Sequence, residues 1–145
     1  MKALIQRVSG AAVSVQQQVV GQITQGLVVL LGVEATDSLA DSTKLAHKVA
    51  HYRVFADSQG KMNLNVQQAG GSLLVISQFT LAADTQSGLR PSFTPAARPE
   101  HALACYNAFV SECQALGLTV ATGQFAANMQ VSLTNDGPVT FLLQS

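Results

Sequence analysis

Short apolar segments rich in β-branched residues alternate with polar turns over the first third of the chain. These segments are residues 3–8, 12–15 and 19–23. After Gly26, residues 27–31 form an unbroken apolar run whose length and branching are typical of a strand buried on both faces of a sheet. The pattern therefore predicts four strands before residue 32.

The apolar positions take a helical period in two later segments. Over residues 38–52 they recur on one face, whereas Asp41 and Lys48 occupy the other face. A second amphipathic helix is predicted from about residue 100 to residue 116, and Gly117 is suited to end it. The side chains predicted to face the core are Leu39, Leu45, Ala46, Val49, Ala50 and Tyr52 in the first helix and Leu103, Tyr106, Phe109, Val110 and Cys113 in the second.

Strand patterns return in the second half of the chain. Residues 72–76 read as another buried strand that runs into residues 77–81. Residues 82–99 hold Gly88 and three prolines and predict a loop long enough to be functional. Near the end, the turn signal Asn-Asp-Gly-Pro at residues 135–138 lies between two β-type segments, so a hairpin of residues 129–133 and 139–143 is predicted.

Many strands with two interspersed helices indicate the α+β class. The prediction is a curled, barrel-like, mostly antiparallel sheet with two main helices packed on it. Because no repeat, linker or low-complexity segment occurs, residues 1–145 are predicted to form one domain.

Charged residues make up only 11% of the chain, less than half of the usual share of about 25%. A surface so poor in charge favours association, most simply with further copies of the same chain. Eight basic and eight acidic residues cancel, and no run of Lys or Arg occurs. A DNA partner is therefore not expected, and an RNA would be held through a few phosphates and a specific terminus.

The apolar runs and the cysteines indicate where the protein resides. No apolar run approaches the roughly 20 residues that span a bilayer, so no membrane partner is predicted. Cys105 and Cys113 lie about 12 Å apart along one predicted helix, beyond the reach of a disulfide. Reduced thiols suit the cytoplasm, which is the predicted location.

Ser77 and Thr80 are the first candidates for nucleophiles, because they end a buried strand, where sites are commonly built. A serine hydrolase would need an oriented base, yet the histidines all lie on predicted helices and no Gly-x-Ser-x-Gly occurs. His47 and His51 have usable ligand spacing without a third ligand, as do His101 and Cys105. We therefore expect neither a catalytic triad nor a metal or other cofactor.

Three further features each keep two interpretations. The Gly137–Pro138 peptide is either a simple turn or a cis bond that points neighbouring carbonyls the same way. Phe79 is on composition alone a core aromatic, but it also lies beside the candidate nucleophiles. Arg7, in the middle of an apolar strand, is either exposed or anchors carbonyls or a carboxylate.

Taken together, two segments resemble the motifs of D-aminoacyl-tRNA deacylases of the bacterial and eukaryotic type. Residues 77–81 match SQFTL, and residues 135–140 match NxGPVT. The similarity extends over nearly the whole chain and includes residues 60–71, Arg90–Phe93 and Met129. The resemblance implies a homodimeric hydrolase that cleaves the ester between a D-amino acid and the 3′ end of tRNA and also accepts glycine.

The resemblance also implies roles for particular residues. Gly137 and Pro138 would form a cis peptide that enters the other subunit's site, holds the α-amino group and leaves no room for an L side chain. Arg7 would brace this loop, and Met129 would line the pocket.

Two mechanisms remain open for the remaining motif residues. In one, Thr80 is the nucleophile. In the other, which we favour, N–H groups near Phe79 and Thr80 stabilise the oxyanion, the terminal 2′-OH helps to activate water, and Ser77 and Gln78 shape the pocket. No side chain of the motifs could activate a threonine hydroxyl.

Overall fold

The computed structural model describes residues Met1–Ser145 and contains eight strands, two α-helices and one 3₁₀-helix. In chain order these are β1 Lys2–Val15, β2 Gln18–Ile23, β3 Gly26–Gly32, α1 Leu39–His51, β4 Phe55–Ala56, β5 Met62–Leu64, β6 Ser72–Ser77, the 3₁₀-helix Phe79–Ala82, α2 Pro99–Ala115, β7 Val120–Thr122 and β8 Gln130–Gln144. The first two predicted strands are joined in the single long strand β1. Neither α-helix combines the length and apolarity needed to cross a membrane.

Strand β1 is the centre of the main sheet. Strands β2 and β3 follow one another along β1, β8 runs antiparallel along the whole of it, and β6 and β7 extend the sheet from β3 by parallel pairing. The sheet curls until β2 meets β7: a Cβ on Gly21 would lie 2.4 Å from the carbonyl oxygen of Thr122, so only glycine permits this approach. The α+β class and the curled, barrel-like sheet are thus confirmed, with parallel pairing confined to β6.

The buried residues form two clusters on the two faces of the sheet. Leu27, Val29 and Leu31 of β3 face α1 and α2, whereas Val28 faces the interior of the curl together with Leu74. The prediction that residues 27–31 form a strand buried on both faces is therefore confirmed.

Helix α1 begins at a capping box. The Asp41 N–H donates to the Ser38 side chain, and the Ser38 N–H donates to the Asp41 carboxylate, which satisfies two otherwise free N–H groups. Both helices were predicted correctly, but two of their apolar positions were not. Leu39 and Leu103 are exposed, because each lies in the first turns of its helix, outside the buried stripe.

The predicted hairpin near the end of the chain is wrong. Residues 130–144 form one strand, β8, and both of its halves pair with β1. Between the Gln6–Thr140 and Val8–Asn135 pairs, β1 has one residue and β8 has four, so residues 136–139 bulge out of the strand. The turn signal was read correctly, but it marks a bulged loop within a strand.

Candidate active site

The candidate site lies where β6 ends. The N–H of Gln78 donates to the carbonyl oxygen of Leu31 at 2.8 Å, and the chain then turns into the 3₁₀-helix. The predicted strand over residues 77–81 therefore stops at Ser77. Gly32 permits the turn, since a Cβ there would lie 2.9 Å from Leu81 Cβ and 3.1 Å from the Gln78 carbonyl oxygen.

A cavity of about 590 Å³ opens beside this turn. Most of its 17 lining residues are apolar, and none has a titratable side chain. The lining residues are Leu31, Val33, Ile76, Ser77, Gln78, Phe79, Phe93, Ala96, Ala97, Pro99, Ala102, Phe125, Ala126, Ala127, Asn128, Met129 and Val131. The cavity can hold an apolar or aromatic group, but it offers no side chain that could act as a general acid or base.

Two aromatic rings cover the mouth of the cavity. Phe79 is 57% exposed, and its ring centroid lies 5.1 Å from that of Phe93. The interpretation of Phe79 as a core aromatic is therefore wrong. Exposed, paired rings at a cavity mouth provide a surface on which a planar group can stack.

The structure brings Ser77, Gln78, Phe79 and Met129 together around this cavity. Thr80 lines a neighbouring, more polar cavity of about 510 Å³, and its Oγ1 accepts a hydrogen bond from Nε2 of Gln78, a residue of the main cavity. Met129 reaches the main cavity across Gly123, where a Cβ would lie 2.6 Å from the Met129 sulfur.

Arg7 anchors the bulged loop of β8. Its Nε donates to the Asp136 carbonyl oxygen at 2.9 Å, and its Nη1 donates to the Val54 carbonyl oxygen at 2.6 Å. Of the two interpretations of Arg7, the anchor is therefore the observed one. The Gly137–Pro138 peptide is cis, and Gly137 has φ +145°.

Within one chain, the Gly137–Pro138 loop and the cavity lie far apart. The loop is level with Arg7, which pairs with Leu27 and through it with Leu73 at the start of β6, whereas the cavity lies at Ser77. Along the strands, Ser77 lies about 13 Å from the level of the loop. Ser77 and Gly137 are therefore not neighbours along the sheet of a single chain.

The histidines have structural partners. His47 Nε2 lies 2.8 Å from Glu112 Oε1 on α2, and His51 Nδ1 lies 2.8 Å from the His47 carbonyl oxygen. His101 Nε2 lies 2.7 Å from the Asp37 carbonyl oxygen. No three His, Cys, Asp or Glu side chains form a group that could hold a metal ion.

Tyr106 supports the cavity from behind. Its hydroxyl donates to the Val75 carbonyl oxygen at 2.8 Å, and its ring lies 6.0 Å from that of Phe125, which lines the cavity. Burial raises the pKa of Tyr106 to about 12, so the hydroxyl remains a donor at neutral pH.

Comparison with known proteins identifies the family. The model of the D-Tyr-tRNA(Tyr) deacylase family matches residues 4–144, almost the whole chain. The chain belongs to this family.

Two relatives in this family are D-aminoacyl-tRNA deacylases. The protein from Cronobacter sakazakii is 63% identical to this chain, and the protein from Haemophilus ducreyi is 65% identical. Each alignment covers 99% of both proteins. A solved structure of the c-Myc DNA Unwinding Element Binding Protein is 36% identical and superimposes with a TM-score of 0.94 over 100% of this chain and 99% of that one. A probable eukaryotic D-amino acid tRNA deacylase, 12% identical, has the same fold with a TM-score of 0.86, covering 99% of this chain and 98% of that one.

Part of the cavity wall was not predicted from the sequence of this deacylase. Phe125 and Asn128 lie in the irregular segment between β7 and β8, and Ala126 in that segment has φ +60°. No periodicity marks such a segment. A signal was nevertheless present, since Phe125 and Met129 are the large apolar residues of an otherwise small and polar stretch.

Proposed function

We propose that the chain hydrolyses the ester between a D-amino acid and the 3′ end of tRNA, and the glycyl ester as well, releasing free tRNA and amino acid. The observation that carries this proposal is the match of the deacylase family model to residues 4–144. The apolar cavity beside Ser77–Thr80 supports it, because its volume of about 590 Å³ is typical of small-ligand sites. The terminal adenosine of the tRNA occupies this cavity and stacks on Phe79 and Phe93.

The site acts by positioning a reactive ester. No lining side chain titrates, and the side chain bonded to Thr80 Oγ1 is the amide of Gln78, so the site holds no base that could activate a hydroxyl nucleophile. The N–H groups of Phe79 and Thr80 open a 3₁₀-helix and have no partner within it, which leaves them free to stabilise the oxyanion. The substrate's own 2′-OH helps to activate the attacking water.

Chiral selection comes from Gly137 and Pro138 of a second copy in a homodimer. Two observations support this arrangement: the loop lies about 13 Å along the strands from Ser77 of its own chain, and β8 pairs only with β1, so its outer edge is free. Val131, Phe141 and Leu142 expose apolar surface along β8. Glycine has no side chain to exclude, so the Gly137–Pro138 loop that rejects L esters accepts glycyl esters.

The deciding experiment measures the release of amino acid from matched D- and L-tyrosyl-tRNA in the presence of a chelator. Rapid loss of the D ester alone supports both the hydrolysis and the chiral gate. Loss of both esters retains the enzyme but removes the exclusion by Gly137 and Pro138. If folded protein hydrolyses neither ester with or without chelator, the function is wrong, and a binding module becomes the better description. Activity that disappears with chelator would favour a metal-dependent hydrolase.

The activity is assigned to the cytoplasm, where charged tRNA is present. Cys105 and Cys113 are free and buried, as expected of a protein that folds under reducing conditions. The balanced net charge supports tRNA recognition through the aminoacylated end, without DNA as a partner.

A further inference from the structure

Two arginines near the cavity have no partner in the chain. Both residues are exposed, and the side chains of Arg90 and Arg98 form neither a hydrogen bond nor an ion pair. Four of the eight basic side chains, in contrast, have polar partners within the chain: Lys2, Arg7, Lys48 and Arg53. A long side chain without a partner is fully available to a ligand.

Both arginines are close in sequence to residues of one wall of the cavity. Phe93, Ala97 and Pro99 belong to this wall, and Arg98 lies between the last two. Arg90 precedes Phe93 by three residues, in a loop closed at its base by the backbone bonds between Asp84 and Ser92 at 2.8 and 3.0 Å. Leu89, beside Arg90, is fully exposed, so the tip of this loop stands clear of the protein body.

The acidic residues near these arginines do not neutralise them. Asp84 Oδ1 accepts from the Gln86 N–H at the loop base, and Glu100 in the first turn of α2 forms no ion pair. Glu34, which is bridged to Ala96, is paired with Lys2 and the N-terminus. The guanidinium groups are therefore free for an external anion. Arginine suits a phosphate in particular, because its planar fork can donate two parallel hydrogen bonds.

We propose that Arg90 and Arg98 bind the phosphates that join the last nucleotides of the tRNA, while the cavity holds the terminal adenosine. The identity of this ligand rests on the proposed function. A tRNA strand that leaves the cavity past Phe93 or Pro99 would pass close to one of the two arginines. They act as positioning residues, which hold the 3′ end and do not touch the ester.

The test compares Arg90→Ala, Arg98→Ala and the double variant with Lys44→Ala as the matched control. Lys44 is also exposed and without a partner, but it lies on α1 and lines neither cavity. Binding of uncharged tRNA is measured by fluorescence anisotropy between 50 and 200 mM salt. Hydrolysis is measured on D-tyrosyl-tRNA and on D-tyrosyl-adenosine, which has no phosphate.

We expect the double variant to bind tRNA about tenfold more weakly at low salt, with a slope of log affinity against log salt reduced by about 0.7 per lost contact. Its kcat/KM on D-tyrosyl-tRNA should fall in parallel through KM, with kcat unchanged. Turnover of the phosphate-free ester should change less than twofold. Arg98→Lys should keep the salt slope, because it keeps the charge, and Lys44→Ala should behave as the parent protein.

Unchanged tRNA affinity and salt slope in the double variant would overturn the proposal. An equal loss on D-tyrosyl-adenosine would also overturn it, because the arginines would then act through the fold of the site. The two proposals fail separately. If the parent protein hydrolyses neither ester, the proposed function is wrong, whereas binding of uncharged tRNA still decides whether the arginines hold phosphates.

Discussion

Thr80 is the residue on which the two mechanisms make opposite predictions. We expect Thr80→Ala to retain turnover of D-tyrosyl-tRNA within about tenfold, because it loses one hydrogen bond and no nucleophile. Steady-state kinetics with Thr80→Ser as the control, which keeps the hydroxyl, provide the measurement. If Thr80→Ala is inactive while Thr80→Ser is active and both bind tRNA normally, Thr80 is the nucleophile and the positioning mechanism is wrong.

Two buried groups make stability sensitive to alkaline pH. Burial, together with Glu112, raises the pKa of the Cys113 thiol from 9.0 to about 12, and burial raises that of Tyr106 from 10.0 to about 12. Because both groups ionise earlier in the unfolded chain, the stability that their burial contributes is present below pH 9 and is lost as the pH rises toward 12. We expect the free energy of unfolding in urea to fall over this window.

The control for the alkaline prediction is Cys113→Ala, which removes one of the two groups. It should be less stable at pH 7 because it leaves a small void, but its stability should fall less steeply above pH 9. The comparison therefore concerns slopes. Parallel pH profiles for the two proteins would mean that Cys113 ionises normally in the folded state.

At the scale of elements, local sequence signals predicted structure where local physics decides it. The apolar period of α1 was sufficient to predict this helix, and its capping residues agree with where it begins. The unbroken apolar run of β3 was sufficient to predict that strand. The Asn-Asp-Gly-Pro signal gave the bend of the chain but not the strand pairing. Residues 130–134 and 140–144 both pair with β1, more than a hundred residues away in sequence, and no local pattern encodes that choice.

The candidate site follows from the sequence only as far as the elements that carry it. Ser77, Gln78 and Phe79 line the cavity where motif and strand end coincide, but which cavity Thr80 lines depends on how the 3₁₀-helix packs. The strand pattern could not indicate the 3₁₀-helix, because the turn depends on Gly32 in β3. The anchoring role of Arg7 likewise depends on the distant carbonyl groups of Val54 and Asp136.

The packing of the 3₁₀-helix on β3 predicts the effect of Gly32→Ala. A Cβ at Gly32 would lie 2.9 Å from Leu81 Cβ and 3.1 Å from the Gln78 carbonyl oxygen, so the 3₁₀-helix must shift and carry Phe79 with it. We expect kcat/KM on D-tyrosyl-tRNA to fall about 10- to 100-fold, since small displacements of catalytic groups are costly. The loss of stability, about 1–3 kcal/mol, should leave the protein folded.

Gly10→Ala is the matched control for this element. Gly10 also lies in a strand of the main sheet, but a Cβ there would come no closer than 4.0 Å to another heavy atom, the Ile23 carbonyl oxygen. This variant should keep full activity. If Gly32→Ala is equally active at unchanged stability, the 3₁₀-helix tolerates displacement, and precise placement of Phe79 is not needed for catalysis.

At the scale of the whole molecule, low charge and an open sheet edge point in the same direction. Charged residues make up 11% of the chain, and Leu142 on the edge strand β8 is 53% exposed. A long, partly apolar edge is prone to pairing with another chain, so it is normally covered or charged. Composition favours association, and the strand order indicates which surface would be available for it.

A site shared between two copies predicts complementation between two defective chains. In Ala97→Trp the indole fills the cavity, whereas in Gly137→Ala the new Cβ would lie 2.5 Å from Val139 Cγ2 and displace the gate loop. Each homodimer should be nearly inactive, because every site lacks either an open cavity or a correctly placed loop to hold the α-amino group. A mixed dimer, isolated through two different tags, has one site with both defects and one with neither, so it should recover about half of the parent activity.

The complementation experiment also decides against the alternative in which each chain acts alone. If the gate and the cavity of one chain formed the site, the mixed dimer would contain two defective sites and would show no more activity than its parents. Sedimentation should first show that both variants form dimers with the parent mass. Recovered D-tyrosyl-tRNA hydrolysis in the mixed dimer then requires that Gly137 of one copy serves the cavity of the other, because no other combination of the two chains contains an intact site.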